Sequence, residues 1–586
     1  MKKRILPFLV LLVLLIILII PLFKSYIPGT TDGLAHKFRL VSFEKSLQEG
    51  NIRPRWLGDS ALGYGSPVFL YNYLLPYYVI SGIHLFGFSV NVSVQIFEAL
   101  TLILSAIGMY LLVNLLWGEV AAVSAAVLYA WSPHHLLTIF LSEAWGEMTS
   151  FVFPPWIFFI LLLACRFLDR KEDLSKKNIV LGFYFILLVL LWVLFILSYN
   201  IMALIFSIIY ILYILVSQKK KFISTMFLLF PWGNALIIST FFWLPAVSFM
   251  QFISYPQLIS SEMQQLYLHM YSFTYQLTTA VKTIQEQVTY YMDFSLGIPI
   301  LLLSFASSIF VLIYLMNSKK RKKDKHFLTL IATTVLFWIC VFMANPISTW
   351  IWLYFPLLQF VVYPVRFLIP ATFAGSIAGG FLLKDHKYWA ALFIFLAVIS
   401  GRPYTIPYVE IFPFPDTYFY QPQPVFHPPI TRKNMAVTEF LPVWVNPDFL
   451  PEIEQNYYLS GKLAERFTVP ERVGHTEIQK NNAEEMQAAI FLQKPATVTV
   501  NTFYYPNWQA YVDEVPVLTD HDKEGRITVP IQSGSHVLRL IFTKNPLEVI
   551  ADRISLLGVI FFVTVFVLIV KWKIARAYWT KFLLIF

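Results

Sequence analysis

Long apolar runs, separated by short polar or basic breaks, repeat along nearly the whole chain. Twelve of them are candidate membrane spans: 5–23, 94–116, 120–136, 148–165, 178–197, 201–216, 222–245, 295–316, 327–344, 366–383, 388–401 and 554–570. A hydrocarbon core of about 30 Å takes about 20 helical residues, so 120–136 and 388–401 are short for it. Between 402 and 550 the pattern changes. Its first part, to about Pro451, is dense in proline and aromatics without periodicity (Pro403, Pro407, Pro413, Pro415, Pro422, Pro424, Pro428, Pro429), which predicts an extended segment laid over the membrane domain. From Ala496, alternating positions predict strands at 497–503, 508–512, 527–529 and 536–542, with turns at Pro506-Asn507 and Gly534. The expected fold class is a polytopic α-helical membrane protein of about twelve helices with a C-terminal extracytoplasmic β-sandwich before the last helix. The expected domains are a membrane domain at 1–401, an extracytoplasmic region at 402–550 with the sandwich at about 456–545, and a last helix with its tail at 551–586.

Composition agrees with this pattern: 58% hydrophobic and 13% charged residues exclude a soluble globule. The two cysteines, Cys165 and Cys340, lie in apolar segments, which argues against a disulfide or a cysteine metal site. Met1-Lys2-Lys3-Arg4 and the apolar run to Leu22 resemble a secretory signal, but no small-residue cleavage motif follows, so a retained first helix is expected.

The net charge of +10 reports topology, not a nucleic-acid partner. Residues 402–550 hold 12 Lys and Arg against 17 Asp and Glu, a net −5, so the remainder carries +15. That excess sits in short clusters, at Lys219–Lys221, Lys319–Lys325 and Lys571–Lys581, and short basic loops mark the cytoplasmic face. Parity then settles the ambiguous run at 67–88. Only if it is interfacial or re-entrant do all the basic clusters fall inside, with both termini cytoplasmic. Its tyrosines (Tyr71, Tyr73, Tyr77, Tyr78) suit the headgroup level. The loops 24–93, 134–147, 248–293 and 345–365 and the region 402–550 are then outside.

The candidate chemistry collects in those outer loops. Asp32 follows the first helix at the interface, where a carboxylate can act as general base on a hydroxyl or help hold a divalent cation such as Mg or Mn. It can equally cap the helix that Gly33 begins. His36 lies one turn on and shares its face. Lys37, Arg39, Arg53 and Arg55 can bind anions, the arginines by forking onto phosphate oxygens, or they can rest on lipid headgroups. Glu143 and Glu147 stand at i, i+4 spacing, an arrangement on one helix face that calls for a cation, whether a metal, Arg or Lys. Arg366, at the outer mouth of a helix, needs an anionic partner, either a phosphate or an internal acid. His134-His135 is a weak metal signal, because adjacent residues of a helix do not converge. Gly63-Tyr64-Gly65 reads as a turn, since it is too short for a nucleotide fingerprint.

The order Asp32-Gly33…His36, Pro54-Arg55-Trp56, Gly63-Tyr64-Gly65…Pro67, Tyr77-Tyr78 resembles the first outer loop of prokaryotic GT-C-type membrane glycosyltransferase homologues. The nearest groups are the YfhO-type proteins and the membrane proteins labelled 6-pyruvoyl-tetrahydropterin synthase-related. Further matches are Glu143 to Pro154, Ser198-Tyr199-Asn200, Phe242-Trp243-Leu244-Pro245, Tyr363-Pro364-Val365-Arg366-Phe367 and Tyr504 to Asp513. The resemblance implies a GT-C-like fold and transfer of a sugar from a polyprenyl-phosphate donor to an outer acceptor, whether glycan, lipid or protein, at a prokaryotic plasma membrane. It implies catalytic roles for Asp32 and for Glu143 or Glu147, with any metal held by Asp32 and one of the glutamates. His36, Lys37, Arg39, Arg55, Tyr64, Tyr77 and Arg366 would bind substrate. Asp32 stands alone where many members have paired acids. A transporter or lipid flippase is the main rival, and it predicts buried charges and inverted repeats, of which Glu98 is a rare instance of the first. A non-catalytic assembly protein, with Tyr504, Tyr505, Trp508 and Tyr511 stacking on glycan, is the other.

Overall fold

The computed structural model describes residues 2–23, 27–28, 30–169, 174–218, 221–264, 266, 270–271, 295–316, 325–406, 410–411, 414–421 and 440–583. Each of the twelve apolar runs is helical over most of its length. Among the described residues, eight helices are long and apolar enough to cross a membrane: Val90–Trp117, Trp145–Leu168, Ile179–Ser198, Asn200–Ser217, Ile298–Met316, Phe327–Ala344, Pro364–Leu383 and Pro546–Leu568. The pair Phe222–Ile238 and Thr240–Ser248, bent by 64° at their junction, makes a ninth. Pro7–Phe23 and Glu119–Ala130 are shorter, as is the 15-residue helix Lys387–Gly401. The chain is a multi-pass membrane protein in which three of the twelve expected spans are short helices.

Packing sorts these helices. Pro364–Leu383 is the central one, with 89% of its apolar window buried, whereas Pro546–Leu568 runs along the outside with 17%. The reason is residue size. Lipid tails are as apolar as leucine, so close helix contact in a membrane comes from small residues that let backbones approach. At Gly380 an added Cβ would stand 2.8 Å from the Ala121 carbonyl oxygen and 3.0 Å from the Ala125 side chain. The alanine-rich helix Glu119–Ala130 therefore stacks directly on the glycine-rich centre.

The run 67–88 breaks into helices Val68–Tyr71 and Leu75–His84, and the longer has only ten residues, half of what a span needs. Its tyrosines correct the headgroup expectation. Tyr71, Tyr73 and Tyr77 are buried within the protein, and of the four only Tyr78 is exposed. The segments expected outside meet at one end of the bundle: Thr31 bonds Leu141, Phe503 bonds Tyr64, and Glu147 pairs with Arg366. At the other end Lys221 pairs with Asp169.

Strands β1 (Ile27–Pro28) and β2 (Glu410–Ile411) pair across the chain. Much of the proline-rich segment, 407–409, 412–413 and 422–439, lies outside the described residues, as do most of the basic clusters. Beyond it, the predicted strands appear as β6 (Ala496–Phe503), β7 (Trp508–Val512), β10 (Arg526–Ile531) and β11 (Gly534–Phe542), joined by β3 (Phe467–Thr468), β4 (Gly474–Asn481), β5 (Glu485–Leu492), β8 (Val515–Val517) and β9 (Asp520–His521). Two antiparallel sheets, β3-β6-β10-β9 and β4-β5-β11-β7-β8, face each other. Val498, Val500, Ile527 and Val529 from one sheet and Ala488, Ile490, Leu538 and Leu540 from the other are buried between them. The expected start at about 456 is too early, because Phe449–Ser460 is a helix and the first strand begins at Phe467.

Candidate active site

Two of the loops expected outside are stitched together by their backbones. Thr31 N–H donates to the Leu141 carbonyl (3.2 Å) and Asp32 N–H to the Ser142 carbonyl (3.0 Å). Gly33 is required by this closeness, since a Cβ there would lie 1.9 Å from Glu143 Oε2. Glu143 itself has φ +52°, a conformation that costs a non-glycine residue about 1–3 kcal/mol and concentrates at functional sites. The next helix starts only at Trp145. Glu143 and Glu147 therefore do not share a helix face, which corrects the spacing argument.

Each glutamate has its own fixed cation. Lys37 Nζ lies 2.8 Å from Glu143 Oε1 and donates to Oε2 at 2.9 Å, where Thr30 Oγ1 also donates (2.9 Å). Arg366 Nε donates to Glu147 Oε1 at 3.0 Å, and the Tyr199 hydroxyl donates to the same oxygen at 3.4 Å. The Arg366 guanidinium lies 4.7 Å from the Tyr363 ring centroid and 5.5 Å from that of Tyr199. Its Nη2 makes no hydrogen bond among the described residues.

Asp32 occupies the N-cap of the helix Gly33–Gln48, but its side chain makes no capping hydrogen bond. The carboxylate is left for other work. Desolvation first, then the Glu147 charge, push its pKa up to about 6, against the Thr31 side-chain hydrogen bond and the charges of Arg39 and Arg366. Asp32, Arg39, Glu147 and Arg366 thus lie within electrostatic reach of one another. Arg39 is buried, with its guanidinium 5.7 Å from the centroid of Phe440.

Behind this cluster lies an aromatic wall. His36 is hydrogen-bonded through Nδ1 to the Tyr77 hydroxyl (2.9 Å) and through Nε2 to the Tyr73 hydroxyl (3.1 Å). It stacks on the fully buried Trp145 at 4.7 Å. Burial, then the charges of Arg39 and Lys37, hold its pKa well below the usual histidine value. It is a neutral imidazole with both nitrogens occupied. His36 and Tyr77, expected to bind substrate, are placed in this wall.

Arg55 and Tyr64 stand elsewhere, at the contact between the first loop and the β domain. Arg55 pairs with Glu484 (2.9 Å) and Glu548 (3.4 Å), and the Tyr64 ring stacks on Phe503 at 5.2 Å. His135 stacks on Phe151 at 3.9 Å and bonds the Tyr129 carbonyl. Among the described residues no group of three His, Cys, Asp or Glu could hold a metal ion. Lys37 and Arg366 already pair with the two glutamates. Sequence reasoning missed Thr30, Tyr73 and Trp145 as parts of the site. Trp145 lies between the two glutamates in the chain, which was the available signal.

No protein-family model matches the sequence, and no curated protein matches it. Some solved structures overlay on it partially, at 13% identity. The arabinofuranosyltransferase AftD from mycobacteria gives a TM-score of 0.42 over 69% of this chain and 27% of its own. The apo oligosaccharyltransferase of Archaeoglobus fulgidus gives 0.44 over 78% of this chain and 69% of its own. The oligosaccharyltransferase AglB of the same organism, with an inhibitory peptide and a dolichol-phosphate, gives 0.42 over the same shares. The chain thus spans about a quarter of the arabinofuranosyltransferase, and all three are partial similarities of chain path.

Proposed function

We propose that this protein is a GT-C-type membrane glycosyltransferase, moving a sugar from a polyprenyl-phosphate donor to a hydroxyl of an extracytoplasmic glycan, lipid or protein of a prokaryotic plasma membrane. The observation that carries this reading is Asp32, a carboxylate with no capping bond, raised to about pKa 6 beside Arg366 and Arg39 at the end of the helix bundle. A general base works best with a pKa near the operating pH. In the proposed step the acceptor hydroxyl gives its proton to Asp32 and its oxygen attacks the anomeric carbon. The bond from that carbon to the phosphate oxygen breaks, and polyprenyl phosphate leaves as an anion. Arg366, held at Nε by Glu147 and at Nη1 by the Val361 carbonyl, with Nη2 making no hydrogen bond among the described residues, stabilises the leaving oxygen together with Arg39. Glu147 acts by aiming Arg366, and the Lys37–Glu143 pair acts by holding the two loops in register.

Sugar transfer from synthetic polyprenyl-phosphate sugars in proteoliposomes tests the assignment. Removing one contact to developing charge costs about 100-fold or more in rate. Asp32→Asn and Arg366→Ala are each expected to lose at least that much while still folding. Full transfer by both variants would remove this reading.

A further inference from the structure

Tyr504, Tyr505, Trp508 and Tyr511 are the aromatics that the sequence offers for stacking on glycan, and the structure separates them. Tyr505 and Trp508 are buried, and the Tyr511 hydroxyl is engaged with Gln509. Tyr504 is half-buried and joins a cluster drawn from three segments. The Trp444 ring meets it edge-on at 5.0 Å, and the His521 ring lies 5.4 Å from it. Gly525 (φ +84°) permits this, since a Cβ there would lie 2.5 Å from the Trp444 carbonyl oxygen.

The cluster continues towards the proposed catalytic residues. Trp444 stacks on Phe252 at 5.8 Å. Val443 N–H donates to the Phe252 carbonyl (3.1 Å) and Ser254 N–H to the Leu441 carbonyl (2.9 Å), which locks the two segments side by side. Just beyond, Tyr255 stacks on Phe440 at 6.3 Å with the planes 4° apart. The Arg39 guanidinium lies 5.7 Å from the Phe440 centroid, and Tyr255 is within electrostatic reach of Arg366. Tyr504, Trp444, Phe252 and Tyr255 are each half-buried, so a succession of partly open rings leads from the β domain to the two cations.

Polar groups edge its far end. Asp520 is exposed, and its charge acts on the Tyr504 hydroxyl. His521 Nδ1 donates to the Asp522 carbonyl (3.0 Å), which leaves Nε2 as an acceptor with no hydrogen bond among the described residues. Aromatic faces beside a few placed polar atoms suit a ligand that presents C–H surfaces and hydroxyl groups together. A sugar ring does so. A lipid tail would leave Asp520 and His521 unmatched, and Asp520 disfavours an anionic chain.

We propose that the acceptor is an uncharged oligosaccharide several units long, lying along Tyr504, Trp444, Phe252 and Tyr255 with its reacting end at Asp32. This rests on the transferase reading and chooses glycan among its three acceptor classes. Its first test needs no turnover.

Full-length protein in nanodiscs is titrated on arrays of uncharged glucan, mannan, galactan and arabinan oligomers, from single sugars to hexamers. At least one series is expected to bind about tenfold more tightly at the long end than at the short. Trp444→Ala is expected to abolish that gain and leave the weak binding of single sugars as it was. Phe252→Ala is expected to do the same, and it serves if the first variant does not fold. Asp520→Asn, a surface change that should leave the melting temperature unaltered, is expected to weaken the long oligomers severalfold. Affinity that grows with length in no series, or a gain that survives both ring variants, overturns the proposal. Preference for an array of unstructured peptides over every glycan overturns it in favour of a protein acceptor. If the oligomers bind as expected but no sugar is transferred in proteoliposomes, the transferase reading fails and the glycan site stands.

Discussion

Asp32 shows how one residue's conformation decides between two roles. At the N-cap a carboxylate ordinarily accepts from the N–H groups of the first turn, which would hold its pKa low. Here that bond is missing, and burial beside Glu147 raises the pKa from 3.8 to about 6. The sign for catalysis follows: a base must be ionised, so transfer is expected to rise with pH through about 6 and level off above about 7. A rate that falls across that window would contradict the role. The sign for stability is opposite. A carboxyl whose folded pKa is raised binds its proton more tightly when folded, so the native state is penalised as pH rises through 6. That penalty is absent below about 4, where folded and unfolded chains are both protonated. Asp32→Asn never ionises, so it should melt ~2–4 °C higher than the native protein at pH 8, after allowance for partial exposure, and equally at pH 4. Thermal unfolding at the two pH values checks this. A variant that is inactive yet more stable separates a strained functional acid from a structural one.

At the scale of elements, the site depends on two loops held edge to edge, and here the sequence was least legible. The apolar runs predicted helices well because membrane burial demands long uninterrupted hydrophobicity. Spacing failed at Glu143 and Glu147, since a helix was assumed where Glu143 instead takes φ +52°. Nothing local in Ser142-Glu143-Ala144 announces that turn. It is imposed by the backbone bonds to Thr31 and Asp32. Strands β4 and β5 were missed for a related reason: β4 is largely polar at an exposed edge, and β5 is rich in alanine and polar residues. Gly33 tests the loop contact. A methyl group there must displace the Glu143 carboxylate from Lys37, so Gly33→Ala is expected to lower the melting temperature and to cut transfer by ~10–100-fold through misplacement of Asp32. Gly82→Ala is the control, because a Cβ at Gly82 meets nothing within 4 Å and should change neither measurement. Equal behaviour of the two variants would mean that the loop contact is not what positions the acid.

Across the whole molecule, the segment 30–66 has two jobs at its two ends. Residues 30–39 build the acidic cluster, while residues 53–66 receive the β domain. Arg55 is the centre of the second contact. Its backbone N–H and Nη2 donate to Glu484 (2.6 and 2.9 Å), and Nη1 reaches Glu548 at 3.4 Å. Glu548 is fully buried and also accepts from Asn507 Nδ2 at 2.6 Å. Trp56 packs edge-on against Trp508 at 5.5 Å. None of this was legible around Arg55, because its partners lie more than 400 residues away along the chain; the local pattern showed only a cation near a membrane. A buried pair loses about 3–5 kcal/mol when one partner is removed, mostly because the other charge is left unpaired. Arg55→Ala strands Glu484 and leaves Glu548 with Arg53 alone, 3.6 Å away, so the β domain should loosen from the bundle, with faster hydrogen exchange at β5 and β11. Arg55→Met combined with Glu484→Gln and Glu548→Gln removes every stranded charge and keeps the volume. That triple variant is expected to recover most of the protection, since replacing a whole buried ionic group is often neutral. If the triple variant exchanges as fast as Arg55→Ala, the domains are held by the specific geometry of the ions and not by the burial of the surfaces around them.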